Sequence, residues 1–186
     1  MEDKLVVRQA ESSDAPVVAA IFAHYVINTV ATFETCPPTR EDWIDKQYAV
    51  RKAGFPFLVG TVDGEVVGYA YVTGWRAQGA YRHTVENSIY LAPGHLGRGH
   101  GRALLVELLA QAGLAGARQV IAVIADTGNP ASERLHHLTG FVRAGRLTKV
   151  GFKHGRWIDT LLMQRTLDSR FPRQPDEQPP RSAAIG

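Results

Sequence analysis

Apolar positions along the chain change period several times, and each change predicts an element. Residues 4–8, KLVVR, read as a short strand, after which Ser12, Ser13 and Asp14 offer N-caps for a helix over APVVAAIFAHYVINTV. Val17, Val18, Ile21 and Tyr25 recur there at helical spacing. The Pro37-Pro38 break and the capping residue Thr39 open a second helix near REDWIDKQYAVRKAG, which Gly54 ends. FPFLVGTV and EVVGYAYVTGW form a hairpin around Asp63-Gly64, a pair that accepts the positive φ angles of a tight primed turn. In TVENSIYLA, Val85, Asn87, Ile89 and Leu91 alternate with Thr84, Glu86, Ser88 and Tyr90, which predicts another strand. A glycine-dense loop then runs into a long helix ending near Ala115, followed by the apolar strand QVIAVIA and a short helix from Pro130 to Thr139. Two last strands lie around FVRAGRLTKVGF and RWIDTLLMQRTL, with Lys153-His154-Gly155 as their turn. Strands and helices in this order predict an α/β (α+β) fold, a mixed sheet with helices on both faces.

Composition narrows the class. The chain has 186 residues, 45% of them hydrophobic, enough for one core and a single domain over residues 1–167. Residues 168–186 hold four prolines and few core formers, and read as a mobile tail. The longest apolar runs, QVIAVIA and ALLVELLAQAGLAGA, fall short of the roughly 20 residues of a membrane span. The start MEDKLVVRQ lacks the apolar stretch of a signal peptide, so the expectation is a soluble cytoplasmic protein with no membrane partner. A lone cysteine, Cys36, permits no intrachain disulfide and reads as a small hydrophobe. The net charge of +3 is carried by dispersed Lys and Arg, which argues little for nucleic acid and equally well for a small anionic ligand. No metal site is expected: His136 and His137 point apart on a helix, and His95 and His100 lack ligand partners at metal spacing.

The segment HLGRGHGRALLVELLAQAGLAG carries the sharpest chemistry. Gly97, Gly99 and Gly101 leave the backbone bare where a helix begins, so main-chain amides can converge on a phosphate that the helix dipole also favours. Arg98 and Arg102 flank the loop and suit a pyrophosphate. A dinucleotide fingerprint fails, because Arg102 or Leu104 stands where its last glycine belongs, and the Gly-Lys-Ser/Thr of a P-loop is missing.

The order TVENSIYLAP, Gly-x-Gly-x-Gly loop, long helix, QVIAVIA and NPASERLHHLTGF resembles the acetyl-CoA-binding core of the GNAT superfamily of N-acetyltransferases. Against that superfamily's Q/R-x-x-G-x-G/A loop the chain reads Leu96-Gly97-Arg98-Gly99-His100-Gly101, with Leu96 the departure. HYVINTVATFETCPPT, GWRAQGAYRHTVENSIYL, NPASERLHHLTGF and VGFKHGRWID together resemble the phosphinothricin and methionine sulfoximine/sulfone N-acetyltransferases, over residues 5–167. The resemblance implies a sheet of about seven strands, splayed between the fourth and fifth to admit the pantetheine arm. It implies acetyl-CoA as co-substrate, a small-molecule amine as acceptor, and a homodimer.

An attacking amine must first lose a proton, and Glu86 is the only carboxylate between Glu65 and Glu107. By resemblance it is the general base, acting directly or through a water. By resemblance, backbone groups of Ile89 and Leu91 are the expected cofactor contacts, with Tyr90 between them and Gly97, Arg98, Gly99, His100, Gly101 and Arg102 of the loop. His136 stands where many superfamily members have a tyrosine, and is either the acid for the leaving thiolate or a packing residue. Asn129 and Ser132 either bond the pantetheine chain or cap a helix. Arg76, with Arg82 as a second clamp, suits an α-carboxylate, while Gln78 replaces a basic residue of some relatives. Tyr25 and Phe33 match aromatics of the acceptor pocket, with core packing as the alternative. Other functions stay open at this point: acetylation of a protein N-terminus or lysine, and a non-catalytic acyl-CoA-binding module.

Overall fold

The computed structural model describes residues 4–167, so the segment 168–186, expected to be a mobile tail, lies outside the described residues. Seven strands, β1 (Val6–Gln9), β2 (Phe57–Val62), β3 (Glu65–Gly74), β4 (Thr84–Leu91), β5 (Gln119–Ala125), β6 (Val142–Lys153) and β7 (Arg156–Thr166), form one sheet in the order β1-β2-β3-β4-β5-β7-β6. Four helices, α1 (Ala15–Asn28), α2 (Arg40–Lys52), α3 (His100–Leu114) and α4 (Ala131–Leu138), complete the predicted sequence of elements.

Strand alternation assigns the helices to two faces. Leu58, Ala70, Val72, Val85 and Leu91 share a core with Leu104, Leu105, Leu108 and Leu109 of α3. Their neighbours Phe57, Val59, Tyr69 and Tyr71 point the other way, onto Val18, Ile21 and Phe22 of α1 and Trp43 and Val50 of α2. The apolar stripe of α1 is Val18, Ile21, Phe22 and Val26, whereas Val17, expected in it, is 40% exposed at the stripe's edge. Thr39 caps α2 through a reciprocal capping box, its hydroxyl accepting from the Asp42 amide at 3.1 Å. The β2–β3 turn is the primed kind its sequence predicts, with Asp63 at φ 51° and Gly64 at φ 86°.

The sheet is antiparallel except between β4 and β5, which run parallel and pair only from Thr84↔Gln119 to Asn87↔Ala122. Beyond Asn87, β4 stays in register with β3 as far as Leu91, while β5 stays on β7 as far as Ala125. Each strand is held by its outer neighbour, so the two part and leave a fork between Ser88–Leu91 and Val123–Ala125. This is the predicted splay of the fourth and fifth strands. Among the described residues, no helix is long and apolar enough to cross a membrane.

Candidate active site

The parity of the β3–β4 ladder decides which groups line the fork. The Trp75 amide donates to the Thr84 carbonyl at 3.0 Å and the Ala92 amide to the Val67 carbonyl at 2.8 Å, and the register between them is unbroken. Even-numbered residues of β4 therefore turn their main-chain groups to β3, and odd-numbered ones turn them away. Ile89 and Leu91 thus present main-chain groups to the fork, as expected of cofactor contacts. Tyr90 does not, which corrects its predicted role: its main chain faces β3, and its ring packs 5.0 Å from Phe22 and 5.1 Å from Tyr25 in the α1/α2 core.

Glu86 sits on the α1/α2 side of the sheet, half-buried, opposite Thr73 and diagonal to Tyr71, just before the fork opens. Burial pushes its carboxyl above the ordinary glutamate range, and the Lys46 ammonium of α2 pulls it partly back. Lys46 itself lies with its Nζ 5.5 Å from the centre of the Tyr71 ring.

The opposite face holds the phosphate cradle. Gly97 (φ 75°) and Gly99 (φ 84°) adopt left-handed conformations, and a Cβ on either would meet nothing of the protein within 4 Å. Gly99 caps α3, and its carbonyl takes the Arg102 and Ala103 amides, so the amides before those lie outside the helical ladder. Arg98 and Arg102 are exposed beside them. Open left-handed glycines, a helix N-terminus and two cations fit a diphosphate. Gly101 has a packing role besides: a Cβ there would lie 3.3 Å from Leu91 and 3.4 Å from Leu135, so this glycine allows the close packing of α3 on β4 and α4. His100 also points inward, 5% exposed with its ring 5.9 Å from that of His95.

His136, buried on α4, is bonded at both ring nitrogens. Nδ1 lies 2.8 Å from the Ser132 carbonyl, which can only accept, so Nδ1 carries the proton. Burial holds the ring's pKa below the usual histidine value, so the imidazole is neutral and Nε2 accepts from the Asn87 side-chain amide at 3.0 Å. A neutral ring with its one proton committed to a carbonyl has none to give a leaving thiolate. Of the two roles open in the sequence, the geometry favours packing and positioning over the acid.

The remaining candidates divide. Asn129 caps the start of α4, its Oδ1 accepting from the Ala131 amide at 3.0 Å, and it also lines a cavity of about 380 Å³ with Asp126, Glu133, Arg143 and Arg146. Ile124 and Ala125 at the end of β5 also line that cavity, and Glu86 does not. Ser132 contributes its carbonyl to His136. The Tyr25 hydroxyl donates to the Leu91 carbonyl at 2.6 Å, so it braces the edge of the fork. Phe33, 39% exposed, packs on Gly151, where a Cβ would come within 2.2 Å of its ring. The same α1–α2 loop is tied down by buried Lys153, whose ammonium donates to the Thr32 carbonyl at 2.8 Å. Arg76 is exposed with its guanidinium 5.2 Å over the Trp75 ring, and Arg82 reaches the Gly79 carbonyl at 3.4 Å. Among the described residues no cluster of three metal-ligating side chains is present.

Asn87 and Lys46 went unpredicted. Asn87 had a signal, being the polar residue in the apolar register Val85, Ile89, Leu91. Lys46 had none, since it is a lysine in a locally polar stretch.

Relatives show what the arrangement belongs to. Residues 18–141 match the acetyltransferase (GNAT) family. The chain is 47% identical over 163 residues to a phosphinothricin N-acetyltransferase of Alcaligenes faecalis, covering 88% of this chain and 83% of the relative. It is 36% identical to an L-methionine sulfoximine/L-methionine sulfone acetyltransferase of Salmonella typhimurium, covering 88% and 95%. The crystal structure of a GNAT superfamily phosphinothricin acetyltransferase from Sinorhizobium meliloti, in complex with acetyl-CoA, superposes with a TM-score of 0.84 at 40% identity over 89% of each chain. The chain therefore belongs to the GNAT family, as an acetyl-CoA-dependent N-acetyltransferase of the phosphinothricin and methionine sulfoximine type.

Proposed function

We propose that the enzyme acetylates the α-amine of a small amino acid or amino-acid analogue, with Glu86 as general base. The observation that carries this reading is the placement of Glu86, half-buried on the sheet face opposite the phosphate cradle and just before the fork that joins the two faces. Acetyl-CoA, when bound, supplies a thioester-activated acetyl group. The amides at Gly97 to Gly101 with Arg98 and Arg102 would hold its diphosphate, and the main chain of Ile89 and Leu91 its pantetheine arm. Glu86 takes the proton that an amino acid's ammonium must lose before its nitrogen can attack, directly or through one water. Arg76 offers a bidentate fork for the α-carboxylate, and Arg82 a second contact.

The assembly belongs to the same reading. β6 is an edge strand, and Leu147, Val150, Phe152 and, on β7, Trp157 are exposed apolar side chains there that a second copy would cover. We assign the enzyme as a homodimer through this edge.

The test is release of the CoA thiol from acetyl-CoA in the presence of phosphinothricin, methionine sulfone, methionine sulfoximine and common amino acids. Glu86→Gln should lower kcat by about 10²- to 10⁴-fold while the KM for acetyl-CoA changes little. A Glu86→Gln enzyme turning over at the wild-type rate would remove the base from the mechanism.

A further inference from the structure

Phosphinothricin differs from methionine sulfone in carrying a second negative charge, on its side chain. Gln78 is uncharged, so it is not a cation for that charge. The cations near Glu86 can be sorted by what already holds them. Lys153 is buried, committed to the Thr32 carbonyl, and faces the charge of Glu34. Arg76 lies against Trp75, beyond the end of β3. Lys46 differs from both: it is exposed, it makes no hydrogen bond among the described residues, and its ammonium is brought to the Tyr71 ring at 5.5 Å.

Its position follows from the helix and the sheet together. Trp43, Gln47 and Val50 bury one stripe of α2 against the sheet, and Lys46 leaves the helix at the edge of that stripe. Tyr71 is opposite Ser88 on β4 and bonds its side chain, while Thr73, two residues along the same face of β3, is opposite Glu86. Trp75 and Arg76 follow just after Thr73. Along the strand direction Tyr71, with Lys46 over its ring, lies two residues to one side of the position opposite Glu86, and Trp75, with Arg76 over its ring, two residues to the other. Of the two cations it is Lys46 whose charge acts on the Glu86 carboxyl. An amine at Glu86 would have its α-carboxylate served from one side and an anionic side chain from the other.

We propose that Lys46 binds a second negative charge on the acceptor and biases the enzyme toward α-amino acids with an anionic side chain. This rests on the amino-acid acceptor reading above. The steady-state constants of wild-type, Lys46→Met and Lys46→Arg enzymes for phosphinothricin and for methionine sulfone test it. Lys46→Met should lower the ratio of kcat/KM for phosphinothricin to that for methionine sulfone by about tenfold, through the phosphinothricin KM, as expected for loss of one charge-assisted hydrogen bond. Lys46→Arg should restore most of the ratio. A ratio that stays at the wild-type value, whether both acceptors lose activity together or neither does, overturns the role of Lys46 while leaving the acceptor reading intact. Wild-type enzyme that releases thiol with no amino acid or analogue overturns the acceptor reading, and the role of Lys46 with it.

Discussion

Two side chains of the site, Glu86 and His136, titrate in ways that follow from where they are buried, and both make predictions. The Glu86 carboxyl is lifted by desolvation more than Lys46 lowers it, so it ionises above the ordinary glutamate range. A base must be ionised, so kcat/KM should rise with pH through an acid limb above the usual carboxylate value, and that limb should vanish in Glu86→Gln. The sign for stability is opposite: a raised folded-state pKa favours the fold while the group is protonated, and that contribution is lost as pH rises through it. His136 is held neutral by burial, its Nδ1 proton on the Ser132 carbonyl and its Nε2 facing the Asn87 amide. Replacing it with Ala should leave a buried amide and carbonyl unpaired, costing about 2–4 kcal/mol by thermal or denaturant unfolding. The folded variant should retain kcat within about tenfold, since loss of a general acid costs about 10²-fold or more. A loss of that larger size with unchanged stability would restore the acid role to His136.

At the level of elements, the loop into α3 shows how alternating glycines can do different work. Gly97 and Gly99 need positive φ and stand open, whereas Gly101 has ordinary dihedrals and is small because Leu91 and Leu135 press on it. Ala at position 99 would be strained by about 1 kcal/mol and would put a methyl among the amides offered to the diphosphate. Gly99→Ala should therefore raise the KM for acetyl-CoA by about tenfold or more, with a smaller change in the acceptor KM and only a modest fall in melting temperature. Equal effects on both substrates would argue against the loop as the phosphate cradle. The fork is also an element-level device. Pairing between β4 and β5 ends at Asn87, and the side chain of that residue is engaged by His136, so the last paired position is the one α4 reaches. Tyr25 braces the far lip by its bond to the Leu91 carbonyl, connecting α1 to the same strand.

Taken whole, the proposed reading gives the molecule's two faces to two substrates: α3 and α4 with the glycine loop on one, α1, α2 and the Phe33 loop on the other, joined through the fork. The β6 edge beside them carries Phe152, 58% exposed, and Trp157, 61% exposed, in ring contact at 5.2 Å. The proposed homodimer predicts that the wild type should elute as a dimer and a Phe152→Asp/Trp157→Asp variant as a monomer, measured by light scattering at micromolar concentration. A monomeric wild type would overturn the dimer. Much of this was legible in the chain beforehand. Periodicity, caps and the Asp63-Gly64 turn define every helix and strand to within a few residues, because those signals are local and each residue's choice depends on near neighbours. The glycine loop before a helix likewise announces a phosphate site, since main-chain amides at a helix start bind anions wherever that helix packs. Which glycines cradle and which pack, that Tyr90 turns from the fork, that His136 meets Asn87, and that Lys46 stands beside Glu86 were decided only by the tertiary structure. Those facts depend on contacts between residues far apart in the chain, and burial, hydrogen bonding and pKa arise only once the sheet has brought them together.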